Sequence, residues 1–191
     1  MKTEPRHGGY LAMAGPVRIR PPTENDAAAI HELIENSPPL DLNSCYAYLL
    51  QAWHFAETCA LAEIAGLPAG YVSAYIPPRQ PDTLFIWQVV VARKFRGLGL
   101  ARNLVKTLLR REACRAIRYI TTTVTVGNNA SVQLFRTLAA SLEGHLDISH
   151  GISSSLLKPA DHPSERLFRI GPLRQQLLAN DKEFHHETEH L

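Results

Sequence analysis

Long apolar runs are missing from this sequence of 191 residues. None nears the roughly 20 consecutive apolar residues that carry a helix across a bilayer, which excludes a helical membrane protein. The opening stretch, Met1-Lys2-Thr3-Glu4-Pro5-Arg6-His7-Gly8-Gly9, has no apolar core of the kind a secretory signal needs. The chain is therefore expected in the cytoplasm, with no membrane partner. Cysteine is scarce too. Cys45, Cys59 and Cys114 are odd in number and widely spaced, so they build no disulfide framework and match no zinc pattern. They are expected as reduced, partly buried thiols. His185, His186 and His190 sit in an acidic tail, read as solvated side chains, and no metal is expected. Charge of one sign is nearly absent overall. A formal net charge of +2 is too small to argue for a nucleic-acid partner.

What is present is an ordinary globular composition, 45% hydrophobic and 20% charged, in a length that suits one domain. The charge is unevenly placed. Between Arg93 and Arg118 stand Arg93, Lys94, Arg96, Arg102, Lys106, Arg110, Arg111, Arg115 and Arg118, with Glu112 as the lone acid. Such a segment is either a solvated helix face or a local field that holds a small anion.

Residues 1–16 read as a flexible arm, 17–174 as the folded domain and 175–191 as a polar tail. Val17-Arg18-Ile19-Arg20 alternates as a half-buried strand does. After Pro21-Pro22, Thr23 or Asn25 can cap a helix whose inner face carries Ala27, Ile30, Leu33 and Ile34. Pro38-Pro39 ends it, and Asn43 or Ser44 starts a second helix through Tyr48, Leu49, Ala52 and Phe55. A hairpin follows, with strands at Cys59–Ile64 and Gly70–Ile76 around the turn Ala65-Gly66-Leu67-Pro68-Ala69. Thr83–Val91 is nearly all apolar and predicts a central strand covered on both faces. Helical spacing resumes at Leu100, Ala101, Leu104, Val105, Leu108 and Leu109. Tyr119–Val126 is β-branched and strand-like, and Gly127-Asn128-Asn129 leads into a helix with Val132, Leu134, Phe135, Leu138 and Leu142. Further strands are expected near Leu146-Asp147-Ile148 and at Arg166–Ile170, separated by a loop. The order describes a mixed α/β domain.

The chemistry gathers where the apolar strand ends and a Gly-rich turn opens a helix. The first turn of a helix offers unpaired N–H groups and the positive end of its dipole. Gly97 and Gly99 lack the Cβ atoms that would hold a pyrophosphate away from the backbone, and Arg96 adds charge. Two phosphate-binding patterns fail here. The dinucleotide fingerprint needs a Gly or Ala where Arg102 stands, and the P-loop needs Gly-Lys-Ser/Thr, which is absent.

A third pattern fits. Val89-x-Val91 followed by Arg96-Gly97-Leu98-Gly99-Leu100-Ala101 resembles the acetyl-CoA motif of the GNAT N-acetyltransferases, Arg/Gln-x-x-Gly-x-Gly/Ala after an apolar strand. Asn128-x-x-Ser131-x-x-Leu134-Phe135 is similar to the family's downstream Asn-x-x-Ala-x-x-Leu-Tyr. The resemblance implies the GNAT fold, a central, mostly antiparallel twisted sheet with splayed middle strands, flanked by helices. It implies acetyl-CoA as co-substrate, held by Val89, Val91, Arg96, Gly97, Leu98, Gly99, Leu100, Ala101, Asn128 and Phe135. The backbone N–H of Val89 or Val91 would face the thioester carbonyl and stabilise the developing oxyanion. The attacking amine has to lose a proton, since a free alkyl amine is charged at neutral pH. The family often reprotonates the thiolate with a Tyr, and this chain has Phe135 there. Either the thiolate leaves unassisted or another group serves.

Further segments resemble the diaminobutyrate acetyltransferases of ectoine biosynthesis. They are Ser37-Pro38-Pro39-Leu40-Asp41-Leu42-Asn43-Ser44-x-Tyr46, Phe85-Ile86-Trp87-Gln88-Val89, Thr122-Thr123-Val124-Thr125 and His162-x-x-Glu165-x-Leu167-x-x-Ile170-Gly171-Pro172. By that resemblance Asp41, Tyr46, Trp87, His162 and Glu165 line an acceptor pocket for a small diamino acid. Glu165 or His162, directly or through water, is the expected base. A homodimer is implied as well. Each of these residues also has an ordinary explanation. Asp41 suits a helix cap, Trp87 and Tyr46 suit a core, His162 suits a solvated loop, and Glu165 suits a surface ion pair with Arg166 or Arg169.

Overall fold

The computed structural model describes residues 15–157 and 162–174. The expected arm, up to residue 14, and the expected tail with its histidines lie outside the described residues. Among the described residues no helix is long and apolar enough to cross a membrane.

Among the described residues seven strands form one sheet: β1 (Val17–Arg20), β2 (Ala60–Ile64), β3 (Leu67–Tyr75), β4 (Thr83–Val91), β5 (Tyr119–Thr125), β6 (Leu146–His150) and β7 (Glu165–Ile170). They hydrogen-bond in the order β1-β2-β3-β4-β5-β7-β6. The pairs β1/β2, β2/β3, β5/β7 and β6/β7 are antiparallel, and β4/β5 is parallel. Four helices join them: α1 (Ala27–Glu35), α2 (Cys45–His54), α3 (Leu100–Leu109) and α4 (Asn129–Ser141). This is the mixed, mostly antiparallel architecture that the sequence implied. Its contacts gather into two compact units. One holds the described residues up to Ser73 with Gln88–Leu108, the other Ala74–Trp87 with the described residues from Leu109 onward.

In the first unit the apolar face of α1 meets the strands. Ala27, Ile30, Leu33 and Ile34 pack with Tyr48 of α2, Cys59, Leu61, Tyr71 and Val90. Burial of that many large side chains, at about 25 cal/mol per Å2 of apolar surface, is the main stabilising term. The entrance to α1 is tighter than the sequence suggested. A 3-10 turn at Glu24–Asp26 comes first, because the Asp26 carboxylate reaches back to the Thr23 N–H (2.7 Å) and hydroxyl (2.9 Å). For α2, Ser44 rather than Asn43 is the cap, its hydroxyl accepting the Ala47 N–H at 3.2 Å.

The hairpin differs from expectation. Only Ala65 and Gly66 turn, both with positive φ (51° and 75°), as a two-residue turn between twisted strands requires. Leu67, Pro68 and Ala69, expected in the turn, belong to β3. Pro68 has no N–H to give, and its partner Glu63 stands where the β2/β3 register shifts, the kind of irregularity that tolerates proline in a strand.

The expectation for β4 needs a larger correction. Its side chains are covered on one face only. Leu84, Ile86, Gln88 and Val90 are buried, while Phe85, Val89 and Val91 are partly exposed and Trp87 is 48% exposed. An all-apolar strand reads as doubly buried because hydrophobicity cannot tell contact with protein from contact with a ligand. Pairing with β5 runs through Thr83↔Tyr119, Leu84↔Ile120 and Phe85↔Thr121 and stops there. In the second unit β5 continues on β7 as far as Thr125↔Glu165, and Phe135 of α4 packs on Phe168 of β7 with ring centroids 6.4 Å apart. Cys59 and Cys114 are buried and Cys45 is exposed, all three reduced.

An ion cluster ties β1 to β2 and to the start of α1. Arg20 donates to both Asp26 oxygens (2.7 and 2.8 Å) and both Glu63 oxygens (2.7 and 3.0 Å). The guanidinium holds the Asp26 carboxyl down at about 2 and lowers that of Glu63. Both depressed groups stabilise the fold above their unfolded values, near 4, and that contribution fades as the pH falls towards 2. Arg20→Ala should cost about 2 kcal/mol at neutral pH. In urea unfolding, the gap between wild type and variant should narrow steadily from pH 5 to pH 2. A gap independent of pH would contradict the assignment.

Candidate active site

The first unit carries the Gly-rich turn. After β4 a 3-10 turn at Arg93–Phe95 buries Phe95, and the Ala92 N–H bonds the Ala69 carbonyl at 2.9 Å. Gly97 and Gly99 both lie in the left-handed region, at φ 80° and 75°, where a Cβ is strained. Space does not demand glycine at either position. A Cβ on Gly97 would meet nothing within 4 Å, and one on Gly99 only the end of the Arg102 side chain at 3.4 Å. The turn therefore has a bent backbone under open space, which is the form an approaching anion needs. The Asn103 N–H bonds the Gly99 carbonyl at 3.0 Å, so the N–H groups of Leu100, Ala101 and Arg102 have no acceptor within α3. They present the positive end of the helix to that space. Arg96 folds back, its Nε donating to the Val91 carbonyl at 3.0 Å, and this fixes a cation beside the glycines. Leu100 is buried with Leu104, Val105, Leu108 and Leu109, while Leu98 and Ala101 are partly exposed and Arg102 is exposed. These residues fit the diphosphate of acetyl-CoA.

The same unit holds the segment before α2. Asp41 is exposed, and its backbone carbonyl accepts the Gln88 Nε2 at 2.7 Å. It is not the cap of α2, since Ser44 fills that role. Tyr46 is 67% exposed, so the core role that an amphipathic helix suggests does not apply to it. Val89 and Val91 lie on the open face of β4. Asp41 and Tyr46 thus stand on one segment that is fastened through Gln88 to the strand bearing Val89 and Val91.

The second unit holds the remaining positions. Trp87 of β4 presents an open indole. Glu165 begins β7 opposite Thr125, whose hydroxyl lies 3.4 Å from its carboxylate. The His162 Nδ1 sits 2.8 Å from the Pro163 carbonyl. Asn128 caps α4, its side-chain oxygen accepting the Ser131 N–H at 3.1 Å, so the family's asparagine has a local structural job here. Phe135 is 3% exposed and enclosed against Phe168. Its ring has no proton to donate. Among the described residues no group of three His, Cys, Asp or Glu side chains is placed to hold a metal ion.

Sequence reasoning passed over Gln88 and Tyr48. Gln88 is 7% exposed, and its Oε1 lies 3.3 Å from Asn43 Nδ2 and 3.4 Å from the Tyr48 hydroxyl. The signal was available: one amide stands in the otherwise apolar Phe85-Ile86-Trp87-Gln88-Val89-Val90-Val91.

Residues 27–139 match the family model described as the Acetyltransferase (GNAT) family. The chain belongs to the GNAT acetyltransferase family. Among its relatives within that family is an L-2,4-diaminobutyric acid acetyltransferase of Bordetella parapertussis, 46% identical over 81% of this chain and 83% of the relative. Another of the same description, from Shouchella clausii, is 45% identical over 80% of this chain and 85% of the relative. The structure also superimposes on diaminobutyrate acetyltransferase EctA from Paenibacillus lautus, solved in complex with its substrate L-2,4-diaminobutyric acid and coenzyme A. That likeness has a TM-score of 0.80 and 38% identity, and covers 83% of this chain and 96% of the other. As a GNAT enzyme the chain is an acetyl-CoA-dependent N-acetyltransferase.

A carboxylate in the Gly-rich turn should repel the diphosphate while leaving the domain folded. Gly99→Glu costs only about 1–2 kcal/mol of backbone strain, yet should lower coenzyme A affinity by roughly 100-fold or more. Calorimetry on the folded variant checks this, and unchanged affinity would remove the turn from the cofactor site.

Proposed function

We propose that this chain moves the acetyl group of acetyl-CoA to the γ-amine of L-2,4-diaminobutyrate, giving the γ-N-acetyl product used in ectoine synthesis. The observation that carries the reading is its likeness, along most of both chains, to enzymes bearing that activity. The open face of β4 and the fastened Asp41–Tyr46 segment agree with it. Acetyl-CoA supplies an activated acyl carbon when bound. The chain's own groups then have separate tasks. The Gly97–Ala101 turn, with Arg96, orients the diphosphate. The backbone N–H of Val89 or Val91 donates to the carbonyl oxygen as charge builds on it, the kind of fixed donor that contributes most to acyl transfer. Asp41 and Glu165 attract and orient the amines of the acceptor, and Tyr46 and Trp87 form walls that exclude water.

The nucleophile must be a neutral amine. Glu165 or His162, directly or through one water, takes the proton from nitrogen as the C–N bond forms and the C–S bond breaks. Phe135 offers no acid to the departing thiolate, which leaves on its own modest basicity. The same reading places the enzyme in the cytoplasm as a homodimer, which light scattering of the purified chain would check.

An acceptor panel tests the proposal. Diaminobutyrate should give acetyl-CoA-dependent thiol release with a kcat/KM roughly 100-fold above that of lysine, whose side chain is longer by two methylenes. Equal or better turnover of lysine or spermidine would assign a different acceptor. Asp41→Asn should raise the acceptor KM by about ten-fold, the loss of one charge-assisted contact, with little change in the acetyl-CoA KM.

A further inference from the structure

We propose that Gln88 is a positioning residue for the acceptor: its side-chain amide clamps the Asp41–Ser44 segment to β4 and so sets where Asp41 and Tyr46 stand. The proposal rests on the function argued above and assigns it a residue that touches neither substrate.

The segment needs a clamp because it has little structure of its own. After Ser37-Pro38-Pro39 the chain runs from Asp41 to Ser44 without helix or strand, so its backbone groups look elsewhere for partners. Gln88 and Tyr48 supply them in a closed circuit. The Gln88 Nε2 donates to the Asp41 carbonyl at 2.7 Å. The Asn43 N–H donates to the Tyr48 hydroxyl at 3.0 Å. That hydroxyl donates in turn to the Gln88 Oε1 at 3.4 Å, and the Asn43 side chain donates to the same oxygen at 3.3 Å. The Ser73 hydroxyl accepts the Gln88 N–H at 3.2 Å and steadies the other end of the circuit. Tyr48 is fully buried and Gln88 nearly so, so the Tyr48–Gln88 and Gln88–Ser73 bonds are shielded from water, while those to Asp41 and Asn43 are part-buried.

Packing alone does not call for an amide here. A buried polar side chain carries a desolvation cost that leucine or methionine of similar size would not. Its retention in a strand of apolar residues makes sense where the bonds hold something in place. What they hold is the segment that bears Asp41, and it runs directly into α2, on whose first turn Tyr46 stands, largely in solvent. Both are side chains whose use depends on the position of a loosely structured backbone. A shift of the order of 1 Å at such residues costs up to about 100-fold in turnover.

The experiment compares Gln88→Leu with Tyr48→Phe in the full-length enzyme. With diaminobutyrate varied, both variants should raise its KM by about ten-fold, while the acetyl-CoA KM stays within about two-fold of wild type. Amide exchange in residues 40–44 should quicken by about ten-fold in each variant, with the core strands unchanged. The double variant should do little more than either single one, since both open the same circuit. If both KM values rise together, or exchange quickens across the whole domain, Gln88 serves packing and the proposal fails. It fails equally if neither the acceptor KM nor the exchange of 40–44 moves. Should the wild type not acetylate diaminobutyrate at all, the functional reading is what fails, and the exchange measurement alone decides the clamp. Tyr48→Phe, which keeps the buried ring, covers the case in which Gln88→Leu does not fold.

Discussion

Much in this structure depends on one side of one strand. β4 is mostly apolar, and beyond Leu84 its odd-numbered side chains are at least partly open while its even-numbered ones, Gln88 among them, are buried. Exposed apolar side chains, Trp87 in one unit and Val89 and Val91 in the other, have a standing free-energy cost in water. Under the function proposed above, in which water must be kept from an acyl transfer, that cost has a use. The same apolar surface would lower the local dielectric once covered and strengthen a hydrogen bond from Val89 or Val91 to the reacting oxygen. The three-residue pairing of β4 with β5 belongs with this. A fully paired β4 would have its backbone groups occupied along both edges.

Around that strand the restraints are polar and local. Gln88 holds the segment bearing Asp41, Arg96 holds the turn bearing the glycines, and Arg20 holds the entrance of α1 to the outer strands. All three side chains bond at least one backbone carbonyl or carboxylate across a junction between elements. Regular hydrogen-bond ladders leave such junctions unpaired, so side chains take over there. Two of the three lie beside groups proposed to meet a ligand.

The elements were legible in the sequence because their periodicities are strong. Val17–Arg20, the Ala27-to-Ile34 stripe and Thr83–Val91 appear where the pattern placed them, and the strand expected at Tyr119–Val126 ends one residue earlier, at Thr125. The Gly97–Ala101 turn was legible for a different reason, since positive φ is a requirement that composition reveals. The failures came where one pattern has two physical causes. An apolar run on β4 suggests double burial whether protein or ligand covers the second face. Pro68 suggests a turn although a register shift lets it sit in a strand. Tyr46 has the spacing of a core residue and is largely exposed. Gln88 escaped notice because its importance lies in partners 40 to 47 residues away, a distance no local reading spans. The family resemblance proposed more of the acceptor site than the residue pattern did. Asp41, Trp87 and Glu165 would singly have been assigned to cap, core and surface.

The bond between Arg96 and the Val91 carbonyl also bears on how binding would be divided between folding and association. An arginine left free in solution samples many rotamers, and a ligand that captured it would have to overcome that entropy, about 0.5–1.5 kcal/mol for such a side chain. Here the guanidinium is already tied to the end of β4 through its Nε. Some of that rotamer freedom is lost when the domain folds, and an arriving anion would meet a guanidinium whose Nε is already engaged. Lysine at this position would keep the charge but not the planar fork that lets one nitrogen hold the strand while others face outward. In the cofactor site proposed above, the turn and its charge would therefore be partly arranged by the strand behind them before any anion arrives.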